Sequence, residues 1–468
     1  KMLPDDAIDR LSEGCQTIGK LCQSLGIQQW EVVASQSYGH QIDIEGGKIT
    51  LAGGGGEGGF GIRVLDEGRF GYSYLVEPSS AEKAISEAIS IAKISPSIKD
   101  FVLPSNMPAN KVSGLSDSTI LSTQPDELLE QADMIISHVS SQDSRAKVTG
   151  GGIGVGATAT AILTSEGIES SGLSTSHGIG VQISIEENNE LTSSWQGESS
   201  KSKLNDVPKC VDRAIDWAQK TRSPIKLDDG AVDAPVLLTS EGFSPLFSMV
   251  VPSAIKGEKL VRKESFWSDK MEQIVMSKSL SIVDDPTFPG GKSSRSRDDE
   301  GVPALKQQII ESGRLVGSLW STRDSYQQMS EGRIEFAKTT GSAVRSGHQS
   351  PPVSGCSNLF LTSSEGGNDY EKLLQIMDDG FVINSVMGAH TANPTSGDFS
   401  VTTSSILRVE DGEVIGAVKQ AGVSGNMAKS LASRVHLGDE VRAQGSYTSG
   451  AMYLPNVLLM DEIRVNPV

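Results

Sequence analysis

Glu31-Val32-Val33-Ala34-Ser35-Gln36-Ser37 is followed by Gln41–Ile44, Lys48–Ala52, Gly59–Val64 and Arg69–Leu75, with Gly47 and the run Gly53–Gly56 between them. Short segments of this kind, separated by glycine, predict an antiparallel meander. On either side the apolar period changes from two to three and four. Ile8, Leu11, Cys15, Ile18, Cys22 and Leu25 mark a helix before the meander, after Pro4-Asp5 and ahead of Gly26. Ala84, Ile85, Ala88, Ile89 and Ala92 mark one behind it, with Ser79 and Glu82 at capping-box spacing.

Farther out, Ser95–Ser122 reads as a linker or extended crossing segment. Pro125–Val139 reads as an amphipathic helix, Ala146 to Gln196 as strands, and Val207–Lys220 as a helix ended by Ser223-Pro224. The second half is mostly strands, with helical interruptions at Ser244–Ile255 and Asp369–Asp379. The expected fold class is α+β. It comprises an N-terminal α/β region with antiparallel sheet and flanking helices, and a C-terminal domain of mostly antiparallel β, barrel- or sandwich-like. The expected divisions are an α+β domain over 1–110, a middle α+β segment packed with it over 111–228, and a β-rich domain over 229–468.

The balance of 41 basic and 59 acidic side chains leaves a net charge of −18. Phosphate backbones need cations, and no basic patch is present, so direct nucleic-acid binding is not expected. The opening Lys1-Met2-Leu3-Pro4-Asp5-Asp6 has neither the cationic nor the apolar region of a signal peptide. No apolar run approaches the roughly 18 residues of a membrane span. A soluble, cytoplasmic protein without membrane contact is expected. Cys15, Cys22, Cys210 and Cys356 are too scattered for a disulfide framework or a zinc knuckle.

Several motifs suggest chemistry and do not carry it. Gly150–Gly156 is followed by Ala157–Leu163, a β-branched strand pattern, whereas a phosphate loop needs a helix behind its glycines. A Gly-rich turn or bulge is the expected form. Gly290-Gly291-Lys292-Ser293 resembles the end of a Walker A loop, but the leading glycine position is Pro286 and no helix pattern follows. The histidines His40, His138, His177, His348, His390 and His436 form no HxH, HxxxH or HExxH pair. His390 and Asp398 share the polar loop Gly388–Ser400 and could act with a distant third ligand.

A specific succession begins at Asp284-Asp285-Pro286. Asp298-Asp299-Glu300-Gly301-Val302-Pro303 and the expected strand Ile309–Leu319 follow, then Asn358-Leu359, Gly380-Phe381-Val382-Ile383, Thr395-Ser396-Gly397-Asp398-Phe399-Ser400, Glu410-Asp411-Gly412-Glu413 and Ser424-Gly425-Asn426. Gly61-Ile62-Arg63-Val64 and Gly68-Arg69-Phe70-Gly71-Tyr72 join it from the first half. Over nearly the whole chain this set resembles the TldD/PmbA family, a two-subunit cytoplasmic peptidase system also described as a gyrase modulator.

In that family one subunit carries HExxxH and a later cysteine as metal ligands, and the PmbA/TldE kind lacks the motif. The resemblance places the HExxxH window on Ser248-Met249-Val250-Val251-Pro252-Ser253, and the late cysteine on Ser449 in Tyr447-Thr448-Ser449-Gly450. Ser248, Met249, Ser253 and Ser449 are therefore the vacated metal positions. Serine hydroxyls are poor zinc ligands, Met249 cannot act as a base, and Pro252 is expected to alter the helical turn. No catalytic residue and no metal are assigned to this chain; the metal is expected in an HExxxH partner. Asn358, His390, Thr395, Gly397 and Asp398 match the family's polar loop signature.

The resemblance implies a non-catalytic PmbA/TldE-like subunit, inactive alone, that pairs with a TldD-like HExxxH subunit and helps hold unfolded peptides. Exposed pairing surface allows a homodimer when that partner is missing. Two alternatives stand beside it: an independent hydrolase using a relocated metal or serine site, and a regulatory binding protein of the gyrase-modulator type.

Overall fold

The computed structural model describes residues 2–227, 230–446 and 448–468. The division expected between 228 and 229, and the residues Lys1 and Tyr447, lie outside them. The first half builds six strands, β1 (Gln29–Glu45), β2 (Lys48–Asp66), β3 (Arg69–Leu75), β4 (Ala146–Thr164), β5 (Glu169–Glu187) and β6 (Glu190–Ser200). They form one antiparallel sheet in the order β3-β2-β1-β4-β5-β6. The short segments of the expected meander fuse: Glu31–Ser37 and Gln41–Ile44 lie within β1, and Lys48–Ala52 and Gly59–Val64 within β2. The glycines between them do not break the strand, because the ladder continues through Gly53–Gly56 opposite Tyr38–Gln41.

Gly150–Gly156 is likewise strand, not turn, with the expected irregularity confined to a register shift between Val148 and Gly150. Across neighbouring strands the glycines meet. Gly39 pairs with Gly55 and Gly156, Gly152 with Gly180, Gly154 with Gly178, and Gly180 with Gly197. A belt of bare backbone thus crosses β2, β1, β4, β5 and β6. A Cβ at Gly152 would collide with the Ile42 carbonyl oxygen, and one at Gly151 with that of Gly180, so these strands approach closer than side chains permit.

Helices α1 (Ala7–Ser24), α2 (Ala81–Ile94), α3 (Ser118–Leu121), α4 (Pro125–Gln142) and α5 (Val207–Lys220) pack on this sheet. Their apolar stripes, among them Leu11, Ile18, Leu128, Ile135 and Val211, close one core with Val32, Ile62 and Val181. The capping box expected at Ser79 and Glu82 does not form. Pro78–Ser80 make a 3-10 turn, and α2 starts after Ser80 without a side-chain cap. The reciprocal geometry belongs to α4, where the Glu127 carboxylate accepts the Gln124 N–H at 3.1 Å and Pro125 opens the helix.

In the second half two sheets enclose α6 (Ser240–Ala254). One has six strands, running Arg314–Leu315, Gln307–Glu311, Leu280–Asp284, Asn358–Ser363, Ala451–Leu454 and Arg442–Gly445; the other has nine. Both are antiparallel except where Asn358–Ser363 meets Ala451–Leu454 and where Gly380–Met387 meets Val236–Leu238. The whole is mixed α+β, with sheets curled into half-barrels. α6 is apolar nearly all round, as a helix between two sheets must be: Phe243, Leu246, Phe247, Val250 and Val251 are all buried.

Three details differ from the sequence reading. α6 continues past Pro252 to Ala254 instead of ending there, although the proline removes the N–H that would bond the Ser248 carbonyl. The stretch Ile309–Leu319 is a hairpin rather than one strand, folded at Ser312 and Gly313, both at positive φ (46° and 79°). Short helices at Gly257–Val261, Thr322–Ser330 and Met427–Ala432 were not expected; the last two are set by side-chain caps rather than by an apolar period, and Gly257–Val261 has no such cap. Ser321, for example, accepts the Asp324 N–H at 3.1 Å. Among the described residues no helix is long and apolar enough to cross a membrane.

Candidate functional site

The glycine belt forms one wall of a groove of about 1780 Å³. The opposite wall comes from the second half: Glu241, Ser244 and Pro245 at the start of α6, Ser385–Met387, and the strand end Ala443–Ser446. Among the described residues the strand Arg442–Gly445 is an edge that pairs on its Ala451–Leu454 side alone, so part of its backbone is left without a strand partner. Side chains tie the two walls together. Gln196 of β6 donates to Asn384 at 3.4 Å and accepts from Arg442 at 3.5 Å, and Arg442 also pairs with Glu241.

The residues expected at the metal-motif positions lie on α6 and beside it. Ser248 stands one turn beyond Ser244 on the same helical face, buried, and its hydroxyl donates to the Pro245 carbonyl at 3.3 Å. Met249 packs against the second-half core, and Ser253 is half-buried. Ser449 lies in the loop between two strands that pack on α6, and its carbonyl accepts the Cys356 thiol at 3.1 Å. Burial pushes that thiol up to about 12, so it remains protonated. The metal implied by the resemblance does not fit these residues. Three hydroxyls and a thioether offer no anionic or imidazole donor, and no group of three His, Cys, Asp or Glu converges among the described residues.

The loop-signature residues separate into three places. Thr395, Gly397 and Asp398 share one closed turn: Asn393 accepts the Thr395 N–H at 2.9 Å, and Asp398 accepts Ser396 at 2.7 Å and Asn426 at 2.8 Å. Those hydrogen bonds hold the Asp398 carboxyl below the usual carboxylate range. Gly397, at φ 84°, makes the turn possible. His390 is exposed on the short turn Ala389–Thr391, which packs against α6. Asn358 is elsewhere, wholly buried on its strand, and donates to the Asp285 carbonyl at 2.8 Å and to Ser294 at 2.9 Å.

A cluster the sequence reading did not single out joins the two halves. Arg63 pairs with Glu31 at 2.8 Å and with Glu300 at 3.2 Å, and Arg345 pairs with Glu31. Glu300 also accepts the Thr322 N–H at 2.7 Å, at the start of a helix. Two guanidinium and two carboxylate groups thus neutralise one another in a site without water access. Arg63 and Glu300 stood in the quoted signatures 237 positions apart, and nothing in either segment pointed to the other.

Residues 231–466 match the family described as PmbA/TldA metallopeptidase C-terminal domain, and residues 30–92 match PmbA/TldA metallopeptidase domain 1. The metalloprotease PmbA of Escherichia coli O157:H7 is 25% identical over 434 residues, spanning 91% of each chain. A metalloprotease of Methanothermobacter thermautotrophicus is 23% identical over 437 residues, spanning 89% of each. Among solved structures, TldE from Thermococcus kodakarensis superposes with a TM-score of 0.85 at 23% identity, covering 96% of this chain and all of that one. A putative modulator of DNA gyrase from Thermotoga maritima gives 0.83 at 22%, covering 97% and 99%. At such identities the superpositions speak for the fold. The family matches, which span half the chain in the C-terminal region alone, settle descent: the chain belongs to the PmbA/TldD metallopeptidase family.

Proposed function

We propose that this chain is the non-catalytic, PmbA/TldE-type subunit of a cytoplasmic heterodimeric peptidase, inactive alone and completed by a TldD-like HExxxH subunit that holds the metal. The observation that carries this reading is the residue set on α6. Ser248, Met249 and Ser253, the residues the resemblance aligns with the motif, sit on an intact, core-packed helix, which supports a scaffold kept while its donors and base are replaced. What remains is a groove. Its glycine belt and the edge strand Arg442–Gly445 present backbone to an occupant, which suits an unfolded peptide held by strand addition and read without regard to sequence.

The test is metal content and hydrolysis of an unfolded peptide, on the chain alone and after co-expression with the HExxxH relative of its organism. The expected outcome is a metal-free, inert chain and a stable one-to-one complex that holds metal and cuts. Stoichiometric metal or unaided cleavage by this chain overturns the reading, and His390 and Asp398 become the next residues to substitute.

A further inference from the structure

The Gly290-Gly291-Lys292-Ser293 turn is not a phosphate loop, since no helix begins behind it. It is nevertheless tightly built. Gly290 donates to the Ser113 carbonyl at 3.0 Å, the Ser293 N–H to Asn358 at 2.9 Å, and the Lys292 N–H to the Tyr453 hydroxyl at 3.0 Å. A Cβ at Gly291 would collide with Ser294 and Asn358. Asn358 is therefore a positioning residue for this turn, a role invisible in its own segment.

The turn places Lys292 on the groove wall. Lys292 is half-buried and forms no ion pair, hydrogen bond or ring contact through its ammonium among the described residues. Burial holds that ammonium below the usual lysine range. It is also the single Lys or Arg lining the groove among the described residues; the other charged lining groups are Asp43, Glu45, Glu198 and Glu241. Outside the groove lining, the same turn meets an aromatic shelf through its hydrogen bond to the Tyr453 hydroxyl. Tyr453 stacks on Phe360 with ring centroids 4.4 Å apart, and Phe288 meets both edge-on at 5.6 and 5.1 Å while remaining 39% exposed.

A partly desolvated cation without a counter-charge lacks a partner, and an apolar shelf in contact with its turn lacks a cover. We propose that Lys292 and the shelf of Phe288, Phe360 and Tyr453 form a subsite for a peptide carboxylate flanked by an apolar side chain. The site takes a single negative charge: one ammonium lines the groove, and Asp43 and Glu45 on the same walls disfavour a phosphate dianion, Glu198 and Glu241 being paired with Arg213 and Arg442. The carboxylate comes either from the peptide's C-terminus or from an acidic side chain. This subsite rests on the peptide-holding reading above and adds a substrate preference to it.

Fluorescence anisotropy on the full chain tests the proposal, using a labelled unstructured peptide ending in phenylalanine, its C-terminal amide, and an amide containing internal Glu-Phe. The free acid is expected to bind about ten-fold or more tightly than the plain amide, with Lys292→Met erasing that preference and Lys292→Arg keeping it. Tighter binding of the Glu-Phe amide identifies the acidic side chain as a second source. Phe288→Ala is expected to lower affinity for phenylalanine-ending over glycine-ending peptides. Thermal midpoints equal to wild type show the variants to be folded. If acid and amide bind alike, or the preference survives Lys292→Met, the subsite is overturned and the groove reading stands. If no long peptide binds but N-acetylphenylalanine does so through Lys292, the groove reading fails and the subsite stands. If neither binds, both fail.

Discussion

Asp284 opens the succession that carries the family resemblance, and its side chain is 2% exposed. Its carboxylate accepts the Ser357 N–H at 2.7 Å and the Ser357 hydroxyl at 3.0 Å. Burial outweighs those bonds and lifts its pKa to about 6. The folded state therefore holds a proton that the unfolded chain releases near pH 4, so this group's contribution to stability is full below about pH 4 and declines up to about pH 6. Asparagine keeps both contacts without the charge, its amide oxygen accepting the Ser357 N–H and its NH2 donating to the Ser357 hydroxyl. Asp284→Asn is expected to flatten that part of the stability profile and to raise stability at pH 7 by roughly 2–3 kcal/mol, read from urea unfolding across pH. Nothing in Asp284-Asp285-Pro286 discloses this behaviour, because it depends on complete burial, which only the tertiary fold imposes.

Where an apolar period exists, element positions were readable. Val207–Lys220 matches the observed helix, and α6 begins only four residues before the expected Ser244. Elements without such a period escaped: Thr322–Ser330 has almost no apolar stripe and is specified by its cap and by Glu300 behind its first amides. The glycine runs misled in the opposite direction, since local punctuation suggests a break and only the paired strands keep the chain extended. α6 has the clearest energetic test. Phe247 is fully buried between the two sheets, with its ring centroid 5.3 Å from that of Phe243. Phe247→Ala is expected to cost about 3–5 kcal/mol in chemical denaturation, leaving a cavity the stiff sheets cannot close.

Across the whole molecule, the fold class was legible from alternating periods and the family from ordered signatures. How the halves engage was not. That engagement centres on Arg63, Glu31, Glu300 and Arg345, drawn from both matched regions. Removing one member strands the others as uncompensated buried charge. Arg63→Met is expected to destabilise by about 3–5 kcal/mol, and Glu300→Gln in the same chain to recover part of it. Calorimetry is expected to show one transition in the parent and two in Arg63→Met, as the halves lose their coupling; a single transition shifted by less than about 1 kcal/mol contradicts this account.

The glycine belt reverses the usual logic of mapping a surface. A binding face is ordinarily weighed by truncation, each side chain removed in turn and the loss recorded. At Gly151, Gly152 and Gly180 there is nothing to remove, and even alanine is an addition that pushes neighbouring strands apart or meets the Trp195 ring. An alanine scan of this groove would score its floor as structural and its rim as functional, whatever the floor binds. The information in that stretch lies in missing atoms, and it becomes visible only when atoms are put back.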